Sequence, residues 1–157
     1  MAAQVSNDID TILNGINADA ARSQQQIFEK FKKEIEDVKA SNPDGNFDED
    51  ALFTKLRLKG EELKTESDMA IDDSFDKAKS RLMDIPPESR DAAAKTFSAG
   101  ADTVANVAAF VFGTIKELTG SVADFGRGVW DQLETSDNDV ETSVANAVQA
   151  INSNGQT

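Results

Sequence analysis

The chain has 157 residues, enough for one domain of ordinary size, and its 39% of hydrophobic residues can form a core. It carries 29 acidic and 16 basic side chains, a net charge of −13, so its surface repels phosphate backbones and we expect no nucleic-acid partner. It lacks histidine, cysteine and tyrosine, which excludes thiol nucleophiles, Cys/His zinc sites and the commonest general base. We therefore expect a non-enzymatic protein that uses no cofactor and no metal.

The N-terminal residues give only a weak indication of the compartment. They lack the basic start and the apolar run of a secretory signal, so we expect a cytoplasmic protein. A mature exported chain or a leaderless exported chain would begin in the same way, and the absence of cysteine is compatible with either environment.

Helical spacing of apolar residues extends along the whole chain. Prolines at positions 43, 86 and 87 divide it into segments in which apolar residues recur every three or four positions, and no stretch alternates with period two. This pattern predicts an all-α fold, an antiparallel bundle of four or five helices in a single domain over residues 1–157. Residues 154–157 are predicted to form a loose tail.

Residues 1–85 are predicted to form a long helical hairpin. The first segment predicts one long helix that ends at the turn-forming residues Ser41 to Gly45. The second opens with Asn46 and Glu49 in capping-box spacing and stops before Pro86. Two helices of similar length, joined by a short loop, bury their apolar stripes against each other when they run antiparallel.

Residues 86–153 are predicted to form an apolar helix followed by one or two shorter helices. Gly120, with Ser121 after it, indicates a break or kink in the apolar stripe. A last helix is expected after Thr135–Asn138, with Asn138 and Glu141 in capping-box spacing. Residues 86–157 contain 14 charged side chains, against 31 in residues 1–85, so this half is expected to be the more enclosed.

The most informative stretch is the apolar segment 103–115. No charged residue lies between Asp102 and Lys116, and apolar side chains occur on every side of the helix. Small residues recur four positions apart along it, at Ala101, Ala105, Ala109 and Gly113. Thirteen residues are fewer than the ~20 of a transmembrane helix. Either the bundle encloses this helix, or one of its faces is left for a partner subunit, an apolar ligand or a lipid surface.

These features predict a binding or assembly protein that uses the apolar helix over 97–118 for self-association or for contact with a protein partner. The residues expected to make the contact are Phe97, Val104, Val107, Phe110, Val111, Phe112, Ile115, Leu118 and Trp130. The alternative is a lipid- or membrane-associating protein, apolipoprotein-like, granule-coating or pore-forming, whose bundle opens to expose amphipathic helices.

Two clusters of acidic and amide residues partly match known metal-binding sequence motifs. Asp72, Asp73 and Asp76 resemble the DDxxD pattern by which all-α prenyltransferases and terpene cyclases hold magnesium, but the chain has no second motif of that kind. Asp44, Asn46, Asp48 and Asp50 stand at alternating positions as in a calcium loop, yet the glycine and the glutamate that an EF-hand requires at its sixth and twelfth positions are missing. We interpret both clusters as solvated acidic surface.

Overall fold

The structure is a computed structural model that describes the backbone of residues 2–42, 48–125 and 128–153, and the side chains of residues 8–42, 48–122 and 130–153. Within these ranges the elements are four α-helices: α1 (Ala2–Ser41), α2 (Glu49–Met83), α3 (Pro87–Phe125) and α4 (Gly128–Asn152). The predicted all-α fold is confirmed over the described residues, and the helices pack as a bundle. The predicted loop residues 43–47 and the tail 154–157 lie outside the described residues.

Side chains contact the backbone at both ends of α2. The carboxylate of Asp48 accepts a hydrogen bond from the backbone N–H of Ala51 at 3.1 Å, which makes Asp48 the N-cap of α2. The predicted cap, Asn46, lies outside the described residues. The observed cap, Asp48, comes two positions later in the chain. At the other end of α2, the Arg90 guanidinium donates to the backbone oxygens of Leu82 and Ile85 at 2.9 and 3.2 Å. Arg90, in the first turns of α3, therefore contacts the carbonyl of Leu82 near the end of α2 and that of Ile85 in the link between the two helices.

The predicted break at Gly120 is wrong, because α3 is helical without interruption from Pro87 to Phe125. A glycine in a helix interior costs about 1 kcal/mol relative to alanine, and the packing of Leu118 and Val122, both fully buried, offsets that amount. The hydroxyl of Ser121 lies 2.9 Å from the carbonyl oxygen of Glu117, within hydrogen-bond distance. The same hydroxyl lies 2.7 Å from Oε1 of Gln132 on α4, so Ser121 bonds within α3 or to α4 and does not cap a new helix.

The predicted separation of a last helix after Thr135–Asn138 is also wrong. α4 is continuous from Gly128 to Asn152. Leu133 and Val140, on either side of the polar stretch, are buried in the same core cluster, and the carboxylate of Asp137 accepts a hydrogen bond from Lys32 of α1 at 2.8 Å. Tertiary contacts on both sides therefore keep the stretch helical.

α1 and α3 are the two central helices of the bundle. Each of them contacts all three other helices, whereas α2 and α4 do not contact each other over the described ranges. The largest core cluster joins all four helices and consists of Ile27, Phe28, Phe31, Ile35, Leu52, Leu56, Leu63, Val107, Val111, Ile115, Leu118, Val122, Leu133, Val140, Val144 and Ala147. A smaller cluster, around Leu13 and Phe97, lies at the opposite end of α1.

The layer between these two apolar clusters combines buried polar side chains with a third, smaller apolar cluster of Ala18, Ala20, Ala21, Val104 and Ile151. Gln24 is fully buried; its Oε1 accepts a hydrogen bond from the Ser67 hydroxyl at 2.6 Å, while its Nε2 has no partner among the described residues. Asn17 is also fully buried, and its Nδ2 donates to the carbonyl oxygen of Phe97 at 3.1 Å. A buried polar atom without a partner costs about 1–3 kcal/mol, so this layer stabilises the bundle less than the apolar cluster beyond it.

Two glycines of α3 should respond to alanine in opposite ways. A Cβ atom at Gly100 would collide with the amide nitrogen of buried Asn17, whereas one at Gly120 would have no neighbour within 4 Å. We expect Gly100→Ala to lower the free energy of unfolding by about 1–3 kcal/mol and Gly120→Ala to raise it by about 0.5–1 kcal/mol. Urea unfolding followed by circular dichroism measures both values. Shifts of the same sign would contradict this packing of α1 against α3.

The ion pair between Lys32 and Asp137 should stabilise the bundle in a pH-dependent way. The hydrogen bond to Asp137 raises the pKa of Lys32 above its ordinary value of 10.5. Because the pKa is higher in the folded state, the contribution is complete below pH 10.5 and is lost as the pH rises through the folded-state value. We expect Lys32→Met to lower the free energy of unfolding by about 1 kcal/mol at neutral pH, and the difference from wild type to vanish at high pH.

The matched control for this prediction is Lys30→Met. Lys30 pairs with Glu66 at 2.7 Å, but the two side chains are 53% and 41% exposed, against 27% and 19% for Lys32 and Asp137. Solvent screens the more exposed pair, so its removal should lower the free energy of unfolding by only a few tenths of a kcal/mol. A Lys32→Met effect that stays constant into strongly alkaline solution would rule out the ion pair as its cause.

Candidate functional site

Most of the predicted contact residues lie inside the bundle. Six of the nine are buried: Phe97, Val104, Val107, Val111, Ile115 and Leu118. Phe112 and Trp130 are half-buried, and Phe110 is 41% exposed. The apolar helix therefore uses one side for the core, and only a part of the predicted set is accessible to a partner.

The opposite side of the same helix is exposed and uncharged. Ala105, Ala109 and Gly113 are exposed, and Phe110 lies beside them. We call these four residues the outer face of α3. Because α3 is packed against α1, α2 and α4, the circumference left to solvent is narrow, and it coincides with the small residues. One side of segment 103–115 is therefore enclosed by the bundle, and the other is open to solvent.

A charge on the buried side should unfold the protein. Val111 is completely buried at the centre of the largest core cluster. We expect Val111→Asp to cost several kcal/mol, a large part of the ~5–15 kcal/mol by which ordinary domains are stable, because the carboxylate would have no partner. Circular dichroism during heating measures the loss. The control is Asn106→Asp, at an exposed position of the same helix, which should leave the unfolding transition unchanged. A stable Val111→Asp variant would show that α3 is not enclosed.

A groove between α2 and α3 was not predicted. Its volume is about 530 Å³, within the range of about 300–1,000 Å³ typical of small-molecule sites. It is lined by Phe53, Leu56, Arg57, Gly60, Glu61 and Lys64 of α2 and by Phe112, Ile115, Lys116, Thr119 and Gly120 of α3. We call it the α2–α3 groove. The spacing of Phe53, Leu56, Gly60 and Lys64 by threes and fours was visible in the sequence, but only the packing shows which helix it faces.

Two half-buried aromatic rings and one glycine shape the α2–α3 groove. Phe53 on α2 and Phe112 on α3 are half-buried. Gly60 lies against Ile115, whose Cγ2 would be 3.3 Å from a Cβ atom at position 60. The absence of a side chain at Gly60 lets α3 approach α2 there, and the two rings line the groove.

A second cleft lies between α1 and α2, next to the polar layer. It has a volume of about 140 Å³ and is lined by Ile16, Asp19, Ala20, Ser23, Ala70, Asp73, Ser74 and Lys77. It is smaller than typical small-molecule sites, and its charged lining residues Asp19, Asp73 and Lys77 are exposed. We assign it no function.

The first of the two predicted acidic clusters lies on the surface of α2. Asp72, Asp73 and Asp76 are each exposed. Over the part of the chain that the structure describes, no three His, Cys, Asp or Glu side chains are grouped so that they could hold a metal ion. Of the four alternating residues before and at the start of α2, Asp44 and Asn46 lie outside the described residues, and Asp48 and Asp50 are exposed.

Trp130 belongs to the edge of the core. It packs against the largest core cluster from α4, and the Lys39 ammonium lies 6.0 Å from its ring centroid, within the range of a cation–π contact. Part of the indole remains accessible. Trp130 therefore joins the end of α1 to the start of α4 and is separate from the outer face of α3.

One helix among the described residues, over Pro87–Val122, is long and apolar enough to span a membrane by length and composition. Core helices of water-soluble bundles meet the same criterion, and 39% of the apolar window is buried here. Comparison of the chain with protein-family models, with curated proteins and with solved structures gives no match. The function must therefore be argued from the surfaces of this bundle.

Proposed function

We propose that the protein is a non-enzymatic assembly protein and that the outer face of α3 joins two copies of the chain. The observation that carries the proposal is the absence of charge on the exposed side of α3 between Asp102 and Lys116, in a protein in which 29% of the residues are charged. Interface cores are depleted of charged residues and enriched in aromatic ones, as here with Phe110.

The spacing of the outer face fits an antiparallel contact between two copies of α3. A two-fold axis at Ala109 pairs each residue with the one equally far on the other side, so that Ala105 of one copy meets Gly113 of the second copy. The same axis pairs Asp102 with Lys116 of the second copy, at both ends of the uncharged stretch. Small residues at the crossing allow the backbones to approach closely, and opposite charges at the ends favour this register.

The antiparallel hairpin predicted for residues 1–85 is part of this proposal. The order of contacts between α1 and α2 supports it: Gln24 contacts Ser67, Lys30 contacts Glu66, and Glu34 pairs with Lys55 at 3.4 Å. As the residue number rises along α1, the number of its contact residue on α2 falls, which is the order expected for antiparallel helices. The hairpin would hold the buried side of α3 in place, so that the outer face is presented as a rigid surface.

A charge at the centre of the outer face should prevent assembly. We expect wild-type protein to dimerise in sedimentation-velocity runs over a concentration series, and Ala109→Glu to weaken the dimer at least tenfold, because two carboxylates would face each other across the axis. The matched control is Ala145→Glu on the exposed side of α4, which should dimerise like wild type. Both variants should keep the wild-type unfolding transition.

A charge exchange tests the register of the contact. Asp102→Lys should weaken the dimer by placing two lysines opposite each other, and adding Lys116→Asp to that variant should restore it. A wild-type protein that stays monomeric at every concentration, or a dimer indifferent to Ala109→Glu, would refute the proposal.

The second candidate function is lipid association, which the length and apolar character of α3 favour. Since the net charge is −13, adhesion would come from burial of apolar side chains, and neutral vesicles should be bound better than anionic ones. Flotation with phosphatidylcholine vesicles distinguishes the two candidates. Wild-type protein that is monomeric and floats with the vesicles supports lipid association and contradicts assembly through α3.

A further inference from the structure

We propose that the α2–α3 groove binds the anion of a fatty acid, with the alkyl chain on the apolar floor and the carboxylate at a lysine of the rim. This inference concerns a surface of the bundle beside the outer face of α3. The two surfaces share Lys116, which the proposed dimer would pair with Asp102 of the second copy, whereas Lys64 lies in the groove and has no part in the proposed dimer.

The floor of the groove suits an alkyl chain. Leu56 and Ile115 are buried beneath it, and Phe53 and Phe112 are half-buried at its sides. The α2 wall extends from residue 53 to residue 64, about three turns or roughly 17 Å of helix, so the groove is long enough for an extended alkyl chain. An extended chain lying along it would cover the accessible parts of both rings and remove apolar surface from water.

The rim of the groove has the opposite charge to the protein as a whole. Three cations and one acid line it, namely Arg57, Lys64, Lys116 and Glu61, whereas the whole chain has 29 acidic and 16 basic residues. Arg57 pairs with Glu61 at 3.3 Å. Lys64 and Lys116 have no ion pair or hydrogen bond to another side chain in the described structure. They line opposite walls of the groove, Lys64 on α2 and Lys116 on α3.

The combination of floor and rim selects the occupant. The one buried polar side chain in the lining is Thr119, and its hydroxyl already donates to the carbonyl oxygen of Ile115 within α3 at 2.8 Å, so it is not free to donate to a peptide backbone or a sugar. The volume of about 530 Å³ fits a small molecule. Two unpaired ammonium groups call for a negative charge. A fatty acid anion is the simplest ligand that supplies both an uninterrupted alkyl chain and a single carboxylate.

Two amphiphiles with the same chain and opposite charge test the proposal. We would titrate the full-length protein with dodecanoate and with dodecyltrimethylammonium, below their micelle-forming concentrations, by isothermal calorimetry. The overall charge of −13 favours the cation, whereas the groove favours the anion. We expect dodecanoate to bind once per chain and at least tenfold more tightly than the ammonium. Equal binding, or preference for the ammonium, would overturn the proposal.

Variants locate the binding within the groove. Gly120 lines it, and a side chain there would meet no protein atom within 4 Å of its Cβ, so Gly120→Leu fills the groove without a clash at its base. The matched control is Gly15→Leu on α1, where a Cβ atom also has no neighbour within 4 Å. We expect at least a tenfold loss of dodecanoate affinity for Gly120→Leu and less than a twofold change for Gly15→Leu. Equal affinities of the two variants would overturn the proposal.

A charge reversal at the rim gives an independent measurement. Lys64 is exposed and has no part in the proposed dimer, so Lys64→Glu should fold and assemble like wild type, which circular dichroism and sedimentation verify. It should lose dodecanoate affinity at least tenfold, and Lys64→Arg should keep it. Undiminished binding by the glutamate variant would refute the assigned role of the rim. Sedimentation of Gly120→Leu tests assembly separately, because Gly120 lies outside the outer face of α3.

Discussion

The packing of α1 against α3 is the contact on which the rest of the bundle depends. Phe28, Phe31 and Ile35 are completely buried and belong to one cluster with Val111 and Leu118 of α3. α2 and α4 do not touch each other over the described ranges, so each of them is held only through these two central helices. Loss of the α1–α3 contact would leave the flanking helices without a common core, which is why a buried charge on α3 affects the whole molecule and not a single element.

The core is unevenly divided along this central pair. One end is a continuous apolar cluster, whereas the middle contains Asn17 and Gln24, each with a buried polar atom that has no partner among the described residues. The hydrogen bond from Asn17 to the carbonyl of Phe97 forms in one register of α1 against α3, so it favours that alignment. The unpartnered atoms lower stability. The groove and the outer face of α3 both lie along the better-packed part of the bundle, where neighbouring side chains hold a surface rigid.

The three sides of α3 differ because its neighbours differ. The core side is filled by Val104, Val111 and Leu118; the side towards α2 lines the α2–α3 groove with Phe112 and Ile115; and the remaining side is exposed at Ala105 and Ala109. A single apolar sequence thus supplies a core stripe, one wall of a groove and an uncharged surface. Hydrophobicity alone does not distinguish these uses, because each is compatible with the same residue types.

The sequence by itself determined the helical class, the proline boundaries near residue 86 and the concentration of apolar residues in α3, because spacing and backbone chemistry are local properties. It led to wrong expectations at Gly120 and at Thr135–Asn138, where turn-forming residues stay helical since Leu118, Val122, Leu133 and Val140 are buried around them. Only the tertiary structure decided which of the predicted contact residues remain accessible and that Lys64 and Lys116 line one groove with Phe53 and Phe112. Those facts depend on which helices become neighbours, and neighbours on different helices are brought together by packing over the whole chain, which no local pattern encodes.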